Sequence, residues 1–411
     1  MTPILLSPGR ERAMLWLLAL TQFTVIMDFM VMMPLAPQLM QAFAISPAAV
    51  SGAVSAYAWC AGASGLFAAI YIDRFDRKKL LLLMFCLFTL SNLACALAPT
   101  FHILVLSRAF AGLTGGVLGS IILAIIGDTI PAQRRGAATG IVMTSFSLAA
   151  VAGVPIGVVM AARFGWASPF YLLVLLSVLI WLGAARVLPT LTAHRGARQA
   201  TLAEALPNLL ALLVVPQHLR AFLLSGLTMV SAMLVIPFIS PVIVSNLGVK
   251  PADITWIYLA GGLASLFTAR RIGMAADRYG KQRVYRWLAL FSILPILCIT
   301  HLPALPLLAL VFFFPFFMGS IAGRMIPLQA LLTTIPDPAK RGAFLSATSA
   351  IQQLGNGLGA WLGGLTLTTD SAGHIGGYAI NGWLAAGLTL IAVWWVGRVQ
   401  GAAAPQAVKA A

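Results

Sequence analysis

Three ionisable side chains stand inside long apolar runs: Asp28, Arg108 and Arg324. An ionised group at the middle of a bilayer costs about 2.5–3.5 kcal/mol on insertion scales, so each is a functional candidate if those runs cross a membrane. A carboxyl held there can carry a proton, and a guanidinium beside it can tune that proton or close a static ion pair. Counted from Met14 at about 1.5 Å per residue, Asp28 lies about 21 Å from one face of a core about 30 Å thick, hence about 9 Å below the other. Arg108, some seven residues after Phe101 on a run of opposite direction, lies about 10 Å below that same face. The two therefore share a depth. Arg324 stands about ten residues before the charged segment that follows its run, where it can contact an anion or substrate, or snorkel to headgroups and backbone carbonyls.

The elements that position these groups follow from composition. Of 411 residues 60% are hydrophobic and 9% charged, against roughly 25% charged in soluble proteins, and the mean hydropathy is +0.96. Most of the outside must face hydrocarbon, which excludes a soluble domain and a disordered chain alike. A membrane crossing takes roughly 20 helical residues. Twelve apolar stretches meet that length, near 13–39, 48–72, 80–98, 102–128, 136–161, 167–187, 219–246, 252–272, 285–301, 305–333, 342–366 and 376–397. The first is too long for a cleaved signal core and reads as a retained span. The stretch from Leu188 to Gln217 is the longest that does not span, and its part from Leu202 to Val215 is apolar enough to lie on the membrane surface.

The net charge of +16 would suggest nucleic-acid binding in a soluble protein. Here the basic residues sort by side. With the N-terminus inside, every Lys and Arg falls in an inside segment except Arg163 and Lys250 in outside loops and Arg108 and Arg324 within spans. That bias sets both termini in the cytoplasm and removes the nucleic-acid reading. Cys60, Cys86, Cys95 and Cys298 sit in apolar runs without metal-ligand spacing, so neither disulfides nor a metal site is expected. The five histidines are scattered, and no Walker loop, nucleophile elbow or HExxH is present, which argues against an enzyme or an ATP-driven pump and implies no cofactor.

The chain repeats itself. Ala69-Ile70-Tyr71-Ile72-Asp73-Arg74-Phe75-Asp76-Arg77-Lys78 matches Gly273-Met274-Ala275-Ala276-Asp277-Arg278-Tyr279-Gly280-Lys281-Gln282, displaced by 204 residues. Thr129-Ile130-Pro131 leading to Arg135-Gly136-Ala137 likewise matches Thr334-Ile335-Pro336 leading to Arg341-Gly342-Ala343. Two parallel six-span halves are the organisation of a two-bundle secondary transporter. The expected division is an N-terminal six-helix bundle over 1–187, a cytoplasmic linker over 188–218 and a C-terminal six-helix bundle over 219–411.

The repeated loop resembles the signature of the major facilitator superfamily, Gly-x-x-x-Asp-Arg-x-Gly-Arg/Lys-Arg/Lys. Its second copy keeps Gly273 and Gly280, and its first departs with Ala69 and Asp76. Arg108-Ala109-Phe110-Ala111-Gly112 resembles the Arg-x-x-Gln-Gly element of span four without its Gln, and Gly153, Pro155 and Gly157 resemble the antiporter element of span five. The chain is most similar to the twelve-span drug:proton antiporter group, arabinose-efflux-like members included. That resemblance implies an all-α integral membrane protein of two pseudo-symmetric six-helix bundles. It implies proton-coupled efflux of a drug-like amphipath or sugar by alternating access, driven by the proton gradient. It also implies a multi-pass, monomeric protein of the bacterial inner membrane whose partners are a small-molecule substrate, protons and lipid. Uptake on the same fold and a transport-inactive sensor are the rival readings.

In this superfamily spans one, four, seven and ten line the central cavity. The resemblance therefore assigns proton coupling to Asp28 and Arg108, and the substrate cavity to Gln22, Thr24, Ser225, Thr228, Ser231 and Arg324. Asp73, Arg74, Arg77, Asp277, Arg278 and Gly280 would form gating loops, the acids capping or pairing with a neighbouring helix in the outward-open state; the alternative is a solvated loop that only sets topology. Small residues recur every fourth position in spans two, five, eight and eleven, which suits close helix contact between the halves. A cytoplasm-dependent fluorescent reporter fused after Arg398 is expected to fluoresce, and alkaline phosphatase inserted at Lys250 to be active. The reverse pattern would refute the orientation.

Overall fold

The computed structural model describes residues 7–131, 134–191, 211–303, 305–336 and 341–399, apart from the side chains at 69–71, 73 and 341. Much of the proposed linker and of the surface segment Leu202–Val215, together with the side chain of Asp73 in the first gating loop, thus lies outside what is described. The described chain is helical except for one antiparallel ladder of two residues a side, Thr368–Thr369 with Ile375–Gly376.

The first half comprises α1 (Pro8–Val31), α2 (Ala36–Phe43), α3 (Pro47–Tyr71), α4 (Arg77–Ala96), α5 (Phe101–Thr129), α6 (Arg135–Leu148), α7 (Val154–Phe164) and α8 (Ser168–Val187). The second comprises α9 (Pro216–Met233), α10 (Ile239–Leu247), α11 (Ile254–Tyr279), α12 (Lys281–Thr300), α13 (Leu307–Gly323), α14 (Met325–Leu332), α15 (Arg341–Leu365) and α16 (Tyr378–Trp395). Among the described residues nine helical stretches are long and apolar enough to cross a membrane, or up to ten if α2 and the part of α3 to Ala68, bent by 116°, count as one. Spans two, eight and eleven correspond to α3, α11 and α15, which fall outside the nine. Their Gly, Ala, Ser, Gln and Arg content dilutes the hydrophobic signal.

Several helix starts are capped by short polar side chains. Ser46 accepts from the Ala49 amide at 3.3 Å before Pro47, and Thr100 accepts from Ile103 at 3.4 Å. Four expected spans are broken rather than continuous, each beside a proline. Span one ends its helix at Val31 and turns through Met32–Leu35 around Pro34, and span seven passes through a 3₁₀ turn, Ile236–Phe238, at Pro237. Span ten breaks at Arg324, with Pro327 in the first turn of α14. In span five Pro155 has no amide to give to Val151, and a π-turn over Ala149–Gly153 bonds the Val154 amide to Ala149 O instead.

Close packing is set by glycines, and the partners differ from the expected ones. Gly153 and Gly157 lie against Met27 and Val31 of α1, Gly261 lies against Met318 and Phe314 of α13, Gly355 and Gly359 lie against α9, and Gly363 lies against Leu234 and Phe238 just after it. These ladders therefore close each half on itself. Contact across the halves uses other glycines: Gly62 against Ala350, Gly357 against Trp59, Gly364 against Ser51, and Gly262 against Ala150. At the end that carries α2 and α10, an apolar cluster of Met32, Met33, Leu35 and Leu39 with Met233 and Ala360 joins the halves. Toward the Arg/Lys-rich loops Gly136, Gly140 and Gly273 have nothing within 4 Å of a Cβ position.

In α5 a Cβ on Gly112 or Gly116 would collide with the backbone of Tyr57 or Ala61 in α3. Overpacking of this kind costs about 1–3 kcal/mol. Gly112→Ala and Gly116→Ala are expected to lower the thermal midpoint of the purified protein, whereas Gly140→Ala leaves it unchanged or higher. Equal midpoints for all three would refute the packing argument.

Candidate functional site

Asp28 on α1 and Arg108 on α5 are brought together, each with 0% exposure. Arg108 Nη1 donates to Asp28 Oδ1, and Nη2 donates to the Asp28 backbone carbonyl at 3.2 Å. The ring of Tyr57 from α3 lies 4.4 Å from the Arg108 Cζ, and the buried thiol of Cys95 from α4 stands beside the guanidinium. Among the described residues Asp28 Oδ2 and Arg108 Nε have no hydrogen-bond partner. One carboxylate oxygen is therefore committed to the pair and the other is free to take a proton. Gly153 and Gly157 pack onto Met27 and Val31, which flank Asp28 along α1, so span five presses on the turn that carries the acid.

The other cavity candidates separate. Thr24 is buried with its hydroxyl donating to Thr21 O at 2.8 Å, and the half-buried Gln22 lies over Gly119 of α5. Ser225 is buried with Oγ unpartnered. Thr228, Ser231 and Arg324 converge, joined by two residues that the sequence reading missed. Arg324 Nη1 donates to Ser292 Oγ at 3.3 Å and Thr389 Oγ1 at 3.2 Å, while Nη2 donates to Thr228 O at 3.3 Å and Ser231 Oγ at 3.5 Å. The guanidinium is 1% exposed, so it does not snorkel, and no carboxylate pairs with it among the described residues. It is instead held in a cage of neutral oxygens from α9, α12 and α16. The hydroxyls of Ser292, Thr389 and Ser231 donate to the carbonyls of Ala289, Ala385 and Ala385, leaving their lone pairs for the cation.

The two gating loops differ in structure. Asp76 caps α4 by accepting from the Lys78 amide at 2.8 Å and also accepts from the Leu191 amide at 3.3 Å. Arg77 is buried and pairs with Asp128 at the end of α5 at 3.0 Å. Arg74 is half-buried on the 3₁₀ turn that follows α3. In the second loop α11 runs through Asp277 and Arg278 to Tyr279, and the whole turn is Gly280 with φ +92°, a conformation that suits glycine alone. Asp277, Arg278 and Gly280 are exposed, and Asp277 forms no ion pair among the described residues. A pocket of about 440 Å³ beside this turn, lined by Tyr279, Gly280, Lys281, Gln282, Arg283 and Leu331, shares no residue with the ion pair.

Tyr57 and Cys95 were illegible as site residues because an aromatic or thiol in an apolar run looks like core. Asp128 carried a signal, an acid where span four meets a basic loop.

The family model of the Major Facilitator Superfamily matches residues 18–224 and 221–410, almost the whole chain in two successive copies. The chain belongs to this superfamily. It is 26% identical over 372 residues to the Probable sugar efflux transporter of Helicobacter pylori (strain HPAG1), covering 87% of each chain. Identity is also 26% over 329 residues to the Uncharacterized MFS-type transporter YfhI of Bacillus subtilis (strain 168), covering 76% of this chain and 77% of the relative. The fold is similar to the D-xylose-proton symporter, with a TM-score of 0.76 at 17% identity over 94% of this chain and 97% of that one. A bacterial homolog to the human lysosomal transporter Spinster, in an inward-facing and occupied conformation, gives 0.75 at 16% identity over 96% and 97%. This major facilitator superfamily member is thus a multi-pass membrane transporter and not an enzyme.

The two buried arginines should respond differently to removal. Arg108→Met strands the Asp28 charge and is expected to cost about 3–5 kcal/mol, relieved in the double variant with Asp28→Asn. Arg324→Met strands no charge, and its cage hydroxyls already donate to backbone, so it is expected to be neutral or stabilising. Thermal unfolding of the purified variants checks both; an Arg324→Met loss as large as that of Arg108→Met would refute the contrast.

Proposed function

We propose that this protein exports a small molecule in exchange for protons by alternating access, with Asp28 as the proton-carrying group. The observation that carries the reading is the geometry of that carboxyl. It is fully buried on a superfamily cavity helix, held through one oxygen by Arg108, with Oδ2 unpartnered. Protonation at Oδ2 removes the charge that Arg108 answers, so the pair loosens; deprotonation draws it together again. Loading and unloading of one proton thus becomes a change in how α1 meets α5.

Two further features support export. The π-turn and the Gly153–Pro155–Gly157 element press on α1 beside Asp28, so a shift there reaches the half-to-half contact at Ala150 and Gly262. The Helicobacter relative carries the name of a sugar efflux transporter. In this reading α3, α11 and α15 complete twelve spans, both termini are cytoplasmic, and 188–218 links the bundles 1–187 and 219–411 in a monomer of the bacterial inner membrane. The energy source is the proton gradient, and the substrate is a drug-like amphipath or a sugar received near Gln22, Thr24, Ser225, Thr228, Ser231 and Arg324.

Inside-out vesicles with an internal pH reporter test this directly, with a panel of monosaccharides and amphipathic dyes. At least one compound is expected to evoke proton efflux from acid-loaded parent vesicles as it enters, and none in Asp28→Asn vesicles. Substrate accumulation against its gradient by Asp28→Asn would sink the reading, and compound and protons moving together in the parent would make the protein an uptake symporter.

A further inference from the structure

Tyr57 has no place in the mechanism described so far, yet it is fixed on every side. It is 1% exposed, its ring lies under the Arg108 guanidinium, and its hydroxyl donates to Val25 O at 3.4 Å, three residues before Asp28. The Phe29 ring stands 5.5 Å away, between centroids. The Tyr57 carbonyl is seated on Gly112, and a methyl on Gly115 would come within 2.9 Å of Tyr57 Oη, so α5 wraps the residue closely. Apart from Asp28 on its edge and Cys95 beside it, this ring is the contact that locates the guanidinium, whose Nε bonds to nothing. A desolvated cation over an aromatic face is held by the ring quadrupole without any hydrogen bond.

The other side of the same helix is fastened to the opposite half. Ser55 donates to Gly357 O of α15 at 2.9 Å, the Trp59 ring covers Gly357 and faces Trp361 at 6.2 Å, and Gly62 abuts Ala350. Positions 55, 59 and 62 form one helical stripe, and Tyr57, two residues beyond Ser55, projects about 200° around the axis from it. One turn of α3 therefore touches the ion pair with one face and α15 with the other.

We propose that Tyr57 is a positioning residue: its ring holds Arg108 against Asp28, and through α3 it makes the pair respond to the α3–α15 contact between the halves. Its use in transport rests on the reading of Asp28 as proton carrier, but the positioning itself is measurable without transport. Full-length protein in lipid nanodiscs is treated with dicyclohexylcarbodiimide, which labels carboxyls in apolar surroundings, and Asp28 labelling is followed by mass spectrometry with Asp28→Asn as background. Tyr57→Leu is expected to speed labelling about fivefold and Tyr57→Phe less than about twofold, the range that a desolvated cation–π contact supports. Fluorinated phenylalanines placed at position 57 weaken the quadrupole at nearly constant shape, and labelling is expected to rise stepwise with fluorine number; this series stands even where Tyr57→Leu fails to fold. Gly357→Ala, which pushes on Trp59 away from the pair, is expected to speed labelling in the parent and to add nothing in the most fluorinated variant. A flat fluorine series would overturn the positioning role, and additive effects of Gly357→Ala would overturn the link to α15. Uphill export by Asp28→Asn would instead remove the proton-carrier reading and leave these labelling outcomes as they are.

Discussion

The contact between Asp28 and Arg108 governs how the first half is built. A guanidinium with 0% exposure is tolerable in an apolar bundle only beside groups that answer its charge, and those groups must be delivered by separate helices. Delivery depends on backbone approach. Gly112 and Gly116 let α5 meet α3 at Tyr57 and Ala61, and Gly153 and Gly157 let span five meet α1 on either side of the acid. Without those close approaches the helices would stand farther apart, and Asp28, Tyr57, Cys95 and Arg108, from α1, α3, α4 and α5, would not reach one another. The glycines and the charge pair are therefore one design, in which the geometry of the first exists to satisfy the second.

The second half meets the same problem by another route. Arg324 is as buried as Arg108, yet its partners are Ser231, Ser292, Thr389 and the carbonyl of Thr228. Each hydroxyl donates to a helical carbonyl and turns a lone pair to the cation. This arrangement stays the same whichever protonation state the first half adopts, because none of its members titrates near neutral pH. One half thus contains an ion pair that a single proton can open, and the other a fixed positive charge. Pseudo-symmetry of the backbone carries over to neither the identity nor the depth of the buried charge, and that difference separates a moving half-site from a constant one in the proposed cycle.

What could be read from the sequence follows from how local each feature is. Helix identity, the repeated loop and the shared depth of Asp28 and Arg108 depend on composition, motif and a constant rise, so they were legible. The breaks in spans one and seven were latent in Pro34 and Pro237, but long apolar runs masked them. The glycine ladders were seen and given the wrong neighbours: spacing reports that a helix can be approached closely, and is silent on which helix does so. Gly355 and Gly359 receive α9 and Gly363 the turn after it, while Gly357 and Gly364 on the far side of the same helix receive the other half. Tyr57 and the hydroxyls of Ser292 and Thr389 matter only through partners far away in the chain, and such relations leave no trace in one sequence.

The two gating loops show how a single residue type redirects a conserved segment. Gly280 accepts φ +92° and lets α11 pass into α12 in one step, so Asp277 and Arg278 end on an exposed helical turn. At the matching place Asp76 keeps an ordinary φ of −60°, spends its carboxylate on the amides of Lys78 and Leu191, and directs Arg77 inward to Asp128. The first loop is thereby bound to its own half, through the end of α5 and the segment after α8. The second is tied to its own half past the turn, where Gln282 donates to the Val399 carbonyl, while its Asp277 and Arg278 stay exposed. If the halves rock against each other, the exposed Asp277 and Arg278 at the α11–α12 turn are available for a contact that is made and broken at the basic end. The inherited repeat is symmetric in sequence position, and asymmetric in mechanical duty.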